Sequence, residues 1–317
     1  MISNRTLEEC LTLYSNEILE CIMEDKKIVK TGNMTHKAMC KQIAEYMMQP
    51  KELELYFTCL FGDEIIRLEE GITRDFTLET REGSYQIPML LCQSEYAFRF
   101  NEFEDEELFW LPCDVAEAFM NMKSETFTEK RKQQNHFLSC LMAVGAFYGA
   151  VPLHIIAPLM QKTAEEVVQG IYALPRELSH YIVVDEMIYH RDLYLEDYGL
   201  FCEQKDIPYY IPDEEELEEL ARWGYLPSRA EMRVMVNYLI FEKKMDTEAA
   251  EYVSMWIQKM AAAGGTLEDI YEYLEDFGVV KAGNHSQELL ELILVLQRNT
   301  RKIENRGFTD MELSINV

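Results

Sequence analysis

Apolar residues recur at helical spacing through the first 72 residues of this chain. Met39, Ile43 and Met47 follow one another at intervals of four, which places all three on one face of a helix. A later apolar segment of the same kind ends at Gly71, and glycine is a residue type that commonly stops helices. The pattern predicts a helical N-terminal domain over residues 1–72.

Between residues 73 and 112 the period changes, and short runs rich in Phe, Tyr and Ile replace the helical pattern. The runs RDFTLETREGSYQIPMLL, YAFRF and ELFWLP have the composition of β-strands and are separated by turns or acidic residues. Pro112 then opens the segment PCDVAEAFMNM, and proline is well tolerated in the first turn of a helix. We expect several short strands followed by a helix.

The next block predicts three helices and a hairpin. The segment QQNHFLSCLMAVGAFYG reads as one helix ending at Gly149, and PLHIIAPLM reads as a second. A third helix, TAEEVVQGIYAL, begins with a capping box of Thr163 and Glu166. Two strands then flank a tight turn at Asp185-Glu186. This is the order of a winged helix, so we predict a winged-helix-containing domain over residues 73–205.

The same block contains an uncharged stretch, LSCLMAVGAFYGAVPLHIIAPLM, without Asp, Glu, Lys or Arg. Its length would suffice for a transmembrane helix. However, Gly149, Pro152 and Pro158 divide it into short pieces, because both residue types interrupt helices. We therefore expect a helix–turn–helix core and no membrane partner.

From residue 206 to 317 the pattern is helical throughout. Residues that favour N-caps precede the apolar segments, at Asp213, Ser228, Asp246, Thr266 and Ser286. The last long helix is predicted to run through QELLELILVLQRNTRKIEN and to end at Gly307. The chain is thus predicted to be mainly α with a minor β part, and residues 206–317 to form a C-terminal helical array.

The end of the chain gathers cations in an otherwise acidic sequence, and two interpretations remain open. Arginines in the last turns of a helix complement its dipole, and Thr309 with Glu312 reads as a capping box on a short final turn. The polar residues around Ile303 instead suggest an inward-facing cluster or a docking site. The candidate partner-binding residues are Asn299, Arg301, Asn305 and Arg306.

The tail NTRKIENRGFTDMEL resembles the Asn-Thr-Arg…Asn-x-Gly-x-Thr-x-x-Glu-Leu tail of a group of uncharacterised bacterial proteins. That group is related to SEC-C-motif-containing, YecA-like and Rho-N-terminus-like proteins. The resemblance extends to PYYIPDEEELEELARWGY, to LEDIYEYLEDFGV and to residues from about 134 to 194, or about two-thirds of the chain. It implies a helical and winged-helix plan without a proven activity. Here the SEC-C cysteine cluster is absent, so its zinc is not implied, and the usual Thr-Pro reads Thr309-Asp310.

Charge bears on the class of partner. The chain has 57 acidic and 30 basic residues, a formal charge of −27 and a pI near 4.6. Such a chain repels phosphate backbones unless its bases are concentrated in one place. The predicted third helix also carries Glu165 and Glu166, which disfavours docking in a DNA groove. If nucleic acid is bound, the candidate residues are Lys130, Arg131, Lys132, Arg176 and Arg191.

Eight cysteines are scattered without a C-x-x-C pair, and the first residues lack the apolar region of a secretory signal. Both features favour a cytoplasmic protein with free structural thiols. His36 and Cys40 share a helix face, but a structural zinc site needs four ligands.

The familiar nucleotide-binding, metalloprotease and hydrolase motifs are all missing from the sequence. We therefore predict a protein that is not an enzyme and needs no cofactor. Its expected role is to bind another protein as an adaptor or regulator. The alternative is a winged-helix transcriptional regulator that binds DNA.

Overall fold

A computed structural model of the chain describes residues 2–3, 5–30, 32, 34–73, 77–78, 89–103, 106–196, 204, 206–281 and 286–315. It is mainly helical with minor β-structure, which confirms the predicted fold class. The chain forms two compact units. The N-terminal unit comprises Met1–Asn135 and Leu174–Ser179, and the C-terminal unit comprises His136–Ala173 and His180–Val317. The domain boundaries after residues 72 and 205 stay predictions.

The helices of the N-terminal unit begin where the sequence supplies caps. The side chains of Thr6, Ser15 and Thr35 each accept a hydrogen bond from a backbone N–H in the first turn of the helix that follows. The first five helices are α1 (Leu7–Leu11), α2 (Asn16–Asp25), α3 (His36–Met47), α4 (Pro50–Cys59) and α5 (Gly62–Thr73). Helix α5 passes through Gly71, so the predicted stop there is wrong. A glycine in a helix costs only about 1 kcal/mol relative to alanine, which neighbouring turns can offset.

A small sheet follows in the same unit. Its strands are β1 (Ile2–Ser3), β2 (Thr77–Leu78), β3 (Phe98–Phe103) and β4 (Glu106–Pro112). Strand β4 pairs parallel to β1 and antiparallel to β2 and β3. The strands predicted at YAFRF and ELFWLP are therefore confirmed. Residues 74–76 and 79–88 of the first predicted β-segment lie outside the described residues.

The prediction of a strand is wrong at the end of that segment, because Met89–Gln93 forms a helix, α6. Leu90 and Leu91 are both buried there. A short apolar run cannot be assigned to a strand or a buried helix by periodicity alone. Helix α7 (Cys113–Met122) then starts directly after Pro112, as predicted.

Helix α8 (Glu125–Ala143) starts earlier than predicted and contains the run Lys130–Lys132, which was expected to precede it. Its first residues belong to the N-terminal unit and the remainder to the C-terminal unit. Helix α8 continues into a π-helical turn, Val144–Tyr148, which stops at Gly149. Gly149 has φ +64°, a conformation that glycine adopts without steric cost.

The block that follows contains the predicted helices and hairpin. It comprises β5 (Ala150–Pro152), α9 (Leu153–Leu159), α10 (Ala164–Ala173), β6 (Tyr181–Val184), β7 (Met187–His190) and α11 (Arg191–Glu196). The predicted capping box is present, since Thr163 and Glu166 bond each other's backbone N–H groups. Asp185 and Glu186 both have positive φ, as a tight hairpin turn requires. Strand β7 lies between β5 and β6 in an antiparallel sheet, and β5 was not predicted.

Helices α8 and α10 approach each other closely. A methyl group added at Gly170 would lie 2.8 Å from the ring of Phe137, a side chain that is fully enclosed. In the ranges that the structure describes, no helix is long and apolar enough to cross a membrane.

The C-terminal array comprises α12 (Glu214–Trp223), α13 (Ala230–Phe241), α14 (Thr247–Ala262), α15 (Leu267–Asp276), α16 (Gln287–Asn299) and α17 (Asp310–Ile315). Asp213, Asp246, Thr266 and Ser286 cap the helices that were predicted to begin there. Ser228 does not, because its hydroxyl donates to Glu219 and α13 begins one residue later, after Arg229. A continuous core of buried apolar residues joins α13, α14, α15 and α16.

The seven cysteines that the structure describes are all free thiols. Four of them, Cys10, Cys40, Cys59 and Cys140, are buried, whereas Cys21 is exposed. Cys202 lies outside the described residues. Burial raises the pKa of the Cys59 and Cys140 thiols to about 12, which makes both thiols inert near neutral pH.

Replacing Gly170 by alanine tests the close packing of α8 and α10. In an exposed helix, replacing glycine by alanine stabilises the folded protein. Here the added methyl group would displace the Phe137 ring. We expect the free energy of unfolding to fall by about 1–3 kcal/mol, as for other overpacked cores. Urea denaturation measures the change. Gly62→Ala is the matched control, since nothing lies within 4 Å of the added carbon. Equal effects of the two substitutions would show that α8 and α10 are not in close contact.

Candidate functional site

The last long helix ends earlier than the sequence suggested. Helix α16 stops at Asn299, and Thr300 adopts an extended conformation while its hydroxyl donates to the Leu296 carbonyl at 2.8 Å. The prediction that Arg301 and Arg306 lie in the last helical turns is therefore wrong. Arg301, the next residue, is buried instead of lying on the surface of the helix.

Arg301 is only 5% exposed, and its guanidinium group is bonded on all sides. Its Nε donates to Glu216 Oε1 at 2.8 Å, and its Nη1 donates to the Gly307 carbonyl at 2.9 Å. Nη1 also lies 3.1 Å from Glu312 Oε2. The guanidinium carbon stacks 3.4 Å from the centre of the Tyr210 ring. We call these five residues the C-terminal clamp.

Glu216 is the acidic centre of the clamp and is 6% exposed. Besides Arg301, it accepts hydrogen bonds from Arg229 and from the Tyr210 hydroxyl, the latter at 2.6 Å. Burial, and then the bond to this carboxylate, raise the pKa of Tyr210, so its hydroxyl stays protonated and donates. A buried carboxylate needs such partners, because desolvation without them is costly.

Asn305 and Arg306 hold the turn that follows. Asn305 is fully buried and donates to Asp310 Oδ1 at 2.8 Å. Arg306 adopts a positive φ of +51°, donates to the Ile207 carbonyl at 2.6 Å and stacks 4.8 Å from the Tyr209 ring. These bonds fix residues 301–310 against the segment before α12.

Of the four predicted partner-binding residues, the structure thus brings Arg301 and Asn305 into the interior. Arg306 is half-buried, and Asn299 donates to the Val295 carbonyl within its own helix. Arg301 and Asn305 face inward, in agreement with the inward-facing interpretation of this segment. Partner binding by the four residues stays a prediction.

The structure also places the bases proposed for nucleic-acid binding. Lys130, Arg131 and Lys132 lie in α8, Arg176 lies in a 3₁₀ turn (Arg176–Leu178), and Arg191 opens α11. Lys130 pairs with Glu54, and Arg176 pairs with Asp25. Exposed pairs of this kind contribute little to stability but lower the local positive charge.

His36 and Cys40 are neighbours, as their spacing indicated. Nδ1 of His36 lies 3.8 Å from Sγ of Cys40, and Nε2 lies 2.9 Å from the Tyr14 carbonyl oxygen. Across the part of the chain that the structure describes, no group of three or more His, Cys, Asp or Glu is placed to hold a metal ion.

A groove between α12, α13 and α14 was missed from the sequence. It is open to solvent and has a volume of about 450 Å³, which is within the usual range for ligand sites. Its apolar lining comes from the end of α12, the α12–α13 connection and α13: Trp223, Tyr225, Pro227, Met232 and Val236. We call this the array groove. The aromatic run RWGYLP was the available signal, but its neighbours from α13 and α14 are distant in sequence.

The loop at one edge of the array groove is held at several points. The Gln258 side chain forms two bonds with the backbone of Leu226, accepting from its N–H at 2.8 Å and donating to its carbonyl at 3.2 Å. Glu219 accepts from the Ser228 hydroxyl at 2.7 Å. These contacts make the groove a preformed feature, which reduces the entropy lost on binding.

A second notable feature is a group of aromatic rings on the outside of α14 and α15. The Tyr252 ring centre lies 6.2 Å from that of Trp256 and 5.8 Å from that of Phe277, and Tyr273 lies 5.9 Å from Phe277. Trp256 is 38% exposed and Phe277 is 43% exposed. We call these four residues the aromatic surface.

Comparison with protein family models, with curated proteins and with solved structures gave no match to this chain. The resemblance to SEC-C-related bacterial proteins therefore stays a prediction.

Removing the Arg301 side chain tests the clamp. Arg301→Ala leaves the buried Glu216 without one of its two cations, and breaking a buried pair costs about 3–5 kcal/mol. We expect a loss near the lower end of that range, because Arg229 still contacts Glu216. Urea denaturation measures it. The control is Arg298→Ala on the exposed last turn of α16, where a change within about 0.5 kcal/mol is expected. Similar values for both variants would contradict the clamp.

Gly307 provides a separate test of how tightly the tail is packed. It has φ +87°, and an added methyl carbon would lie 2.9 Å from the Tyr148 ring and 3.1 Å from Tyr210 Cβ. Gly278 has a similar φ of +77° but open space around it. Gly278→Ala should destabilise by about 1–2 kcal/mol through backbone strain alone. Gly307→Ala should lose about 1–3 kcal/mol more through overpacking. Thermal unfolding of both variants checks the difference, and equal losses would show that the tail is loosely packed.

Proposed function

We propose that this chain is a non-enzymatic adaptor or regulator that binds another protein through its C-terminal helical array. The observation that carries the proposal is the aromatic surface on α14 and α15. Tryptophan and tyrosine are enriched among residues that dominate binding energy at protein interfaces. Trp256 and Phe277 of this surface are exposed, and exposed apolar side chains that lie together are a common mark of a binding site.

The charges around the aromatic surface suit a protein partner better than a nucleic acid. Helix α15 exposes Glu268, Asp269, Glu272 and Asp276, and one cation, Lys259, lies 5.4 Å from the centre of the Trp256 ring. Carboxylates repel phosphate groups, and they attract Lys and Arg side chains. A partially basic protein surface with an apolar centre therefore complements this face.

We also propose that the protein works in the cytoplasm. The seven described cysteines are free thiols, and scattered free thiols are typical of proteins that work in a reducing compartment.

DNA binding through a winged helix is the second candidate. It is favoured by the antiparallel sheet in which β5, between the first two helices, pairs with the hairpin strand β7. In such a domain α10 would be the recognition helix. Its first turn carries Glu165 and Glu166, and the hairpin tip carries Asp185 and Glu186. Four carboxylates where phosphates would lie make this candidate the weaker one.

A pull-down from the lysate of the native host separates the two candidates. The tagged wild-type chain should retain a specific protein in both the presence and the absence of nuclease. The double variant Trp256→Ala, Phe277→Ala should retain at least tenfold less of it, a loss of about 1.4 kcal/mol or more in binding free energy. Mass spectrometry with isotope labelling gives the ratio.

The matched control is Tyr172→Ala, which removes an exposed aromatic residue of α10, 66% exposed, outside the aromatic surface. Its retained proteins should equal those of the wild type. Unchanged retention in the double variant would refute a role for the aromatic surface. Enrichment of nucleic acid, with proteins lost after nuclease treatment and after Tyr172→Ala, would favour the winged-helix candidate.

A further inference from the structure

The array groove combines an apolar lining with acidic side chains. Glu219 of α12 and Glu251 of α14 both contribute to its wall, and Arg233 of α13 also lies on the lining. Glu219 is already bonded to Ser228, whereas Glu251 is exposed. The groove therefore has a carboxylate fixed within its wall and a second carboxylate that solvent can reach.

The carboxylates of the groove lie close to its aromatic lining. The pKa of Tyr225 is raised, first by burial and then by the charges of Glu251 and Glu219. Both carboxylates are thus near the same phenol group, and their negative potential extends over an apolar wall.

The indole at one end of the groove is already in contact with a cation of the same chain. The guanidinium carbon of Arg222 lies 4.8 Å from the centre of the Trp223 ring. Indole is the aromatic side chain that binds cations best, and arginine is the cation most often found against it. The groove thus offers aromatic faces and carboxylates together, which are the two groups that recognise a guanidinium or ammonium group.

We propose that the array groove binds a segment of a partner protein that carries an arginine or lysine. The aliphatic stem of that residue lies along Tyr225 and Met232, and its charged head faces Glu251 and Glu219. A volume of about 450 Å³ accommodates one long side chain and its apolar neighbours. The chain's net charge of −27 draws basic segments toward it and repels acidic ones. This inference rests on the proposed protein-binding function but assigns a surface separate from the aromatic surface.

Binding of labelled peptides to the purified full-length chain tests the proposal. The probes are two degenerate nonapeptide libraries with either arginine or neutral citrulline at the central position, each labelled with fluorescein. Fluorescence anisotropy should show that the arginine library binds at least fivefold more tightly. Selected arginine peptides should bind Glu251→Gln roughly fivefold more weakly, as expected for a partly exposed ion pair.

Arg233→Gln is the matched control, since it removes the opposite charge from the same lining. It should leave the affinity unchanged or raise it about twofold, because a neighbouring positive charge is lost. Equal binding of both libraries would overturn the proposal, as would a Glu251→Gln variant with wild-type affinity. Weaker binding after Arg233→Gln would indicate an anionic occupant and would also overturn it. Self-association of the chain that Glu251→Gln abolishes would make a second copy the occupant instead.

Failure here can be told apart from failure of the proposed function. If the groove does not bind basic segments, the protein retained in the pull-down still depends on Trp256 and Phe277 and persists in Glu251→Gln. If the chain binds no protein at all, both the pull-down and the peptide measurements fail together.

Discussion

The buried ion pair between Arg301 and Glu216 is the interaction on which the C-terminal unit depends. Taking two charges out of water is unfavourable, and the pair is tolerated because each group has several further hydrogen bonds. Arg301 bonds the Gly307 carbonyl, and Glu216 bonds Tyr210 and Arg229. The tail, the start of α12 and the start of α13 are therefore joined at one point.

The array groove depends on the same buried carboxylate, Glu216. Arg229 directly precedes α13, so its bond to Glu216 ties the first turn of α13 to α12. The buried Gln258 ties the intervening loop to α14 by bonding Leu226. The three helices that supply the groove's lining are thus joined by polar contacts. A groove held in this way needs little ordering if it binds the proposed basic segment.

The acidic residues of the C-terminal array occupy particular positions. Acidic residues at helix N-termini, as in Glu214–Glu216, complement the helix dipole and so stabilise the fold. Others are exposed on α15 or lie on the groove wall. The same composition therefore supports the helices and, in the proposed function, favours partners with basic residues around an apolar centre. Most of these charges are solvated, and their effect on association is greatest at low ionic strength.

The sequence by itself determined most of the helices, the hairpin and several caps, since these follow from contacts within a few residues. It misplaced the β-segment at Met89 and the end of α16, where burial outweighed local preference. It picked out Arg301 but could not show its partner, because Glu216 lies 85 residues away in sequence. The array groove likewise draws its lining from separate helices. Only the tertiary structure decides such contacts, because packing brings together residues whose local signals are independent of each other.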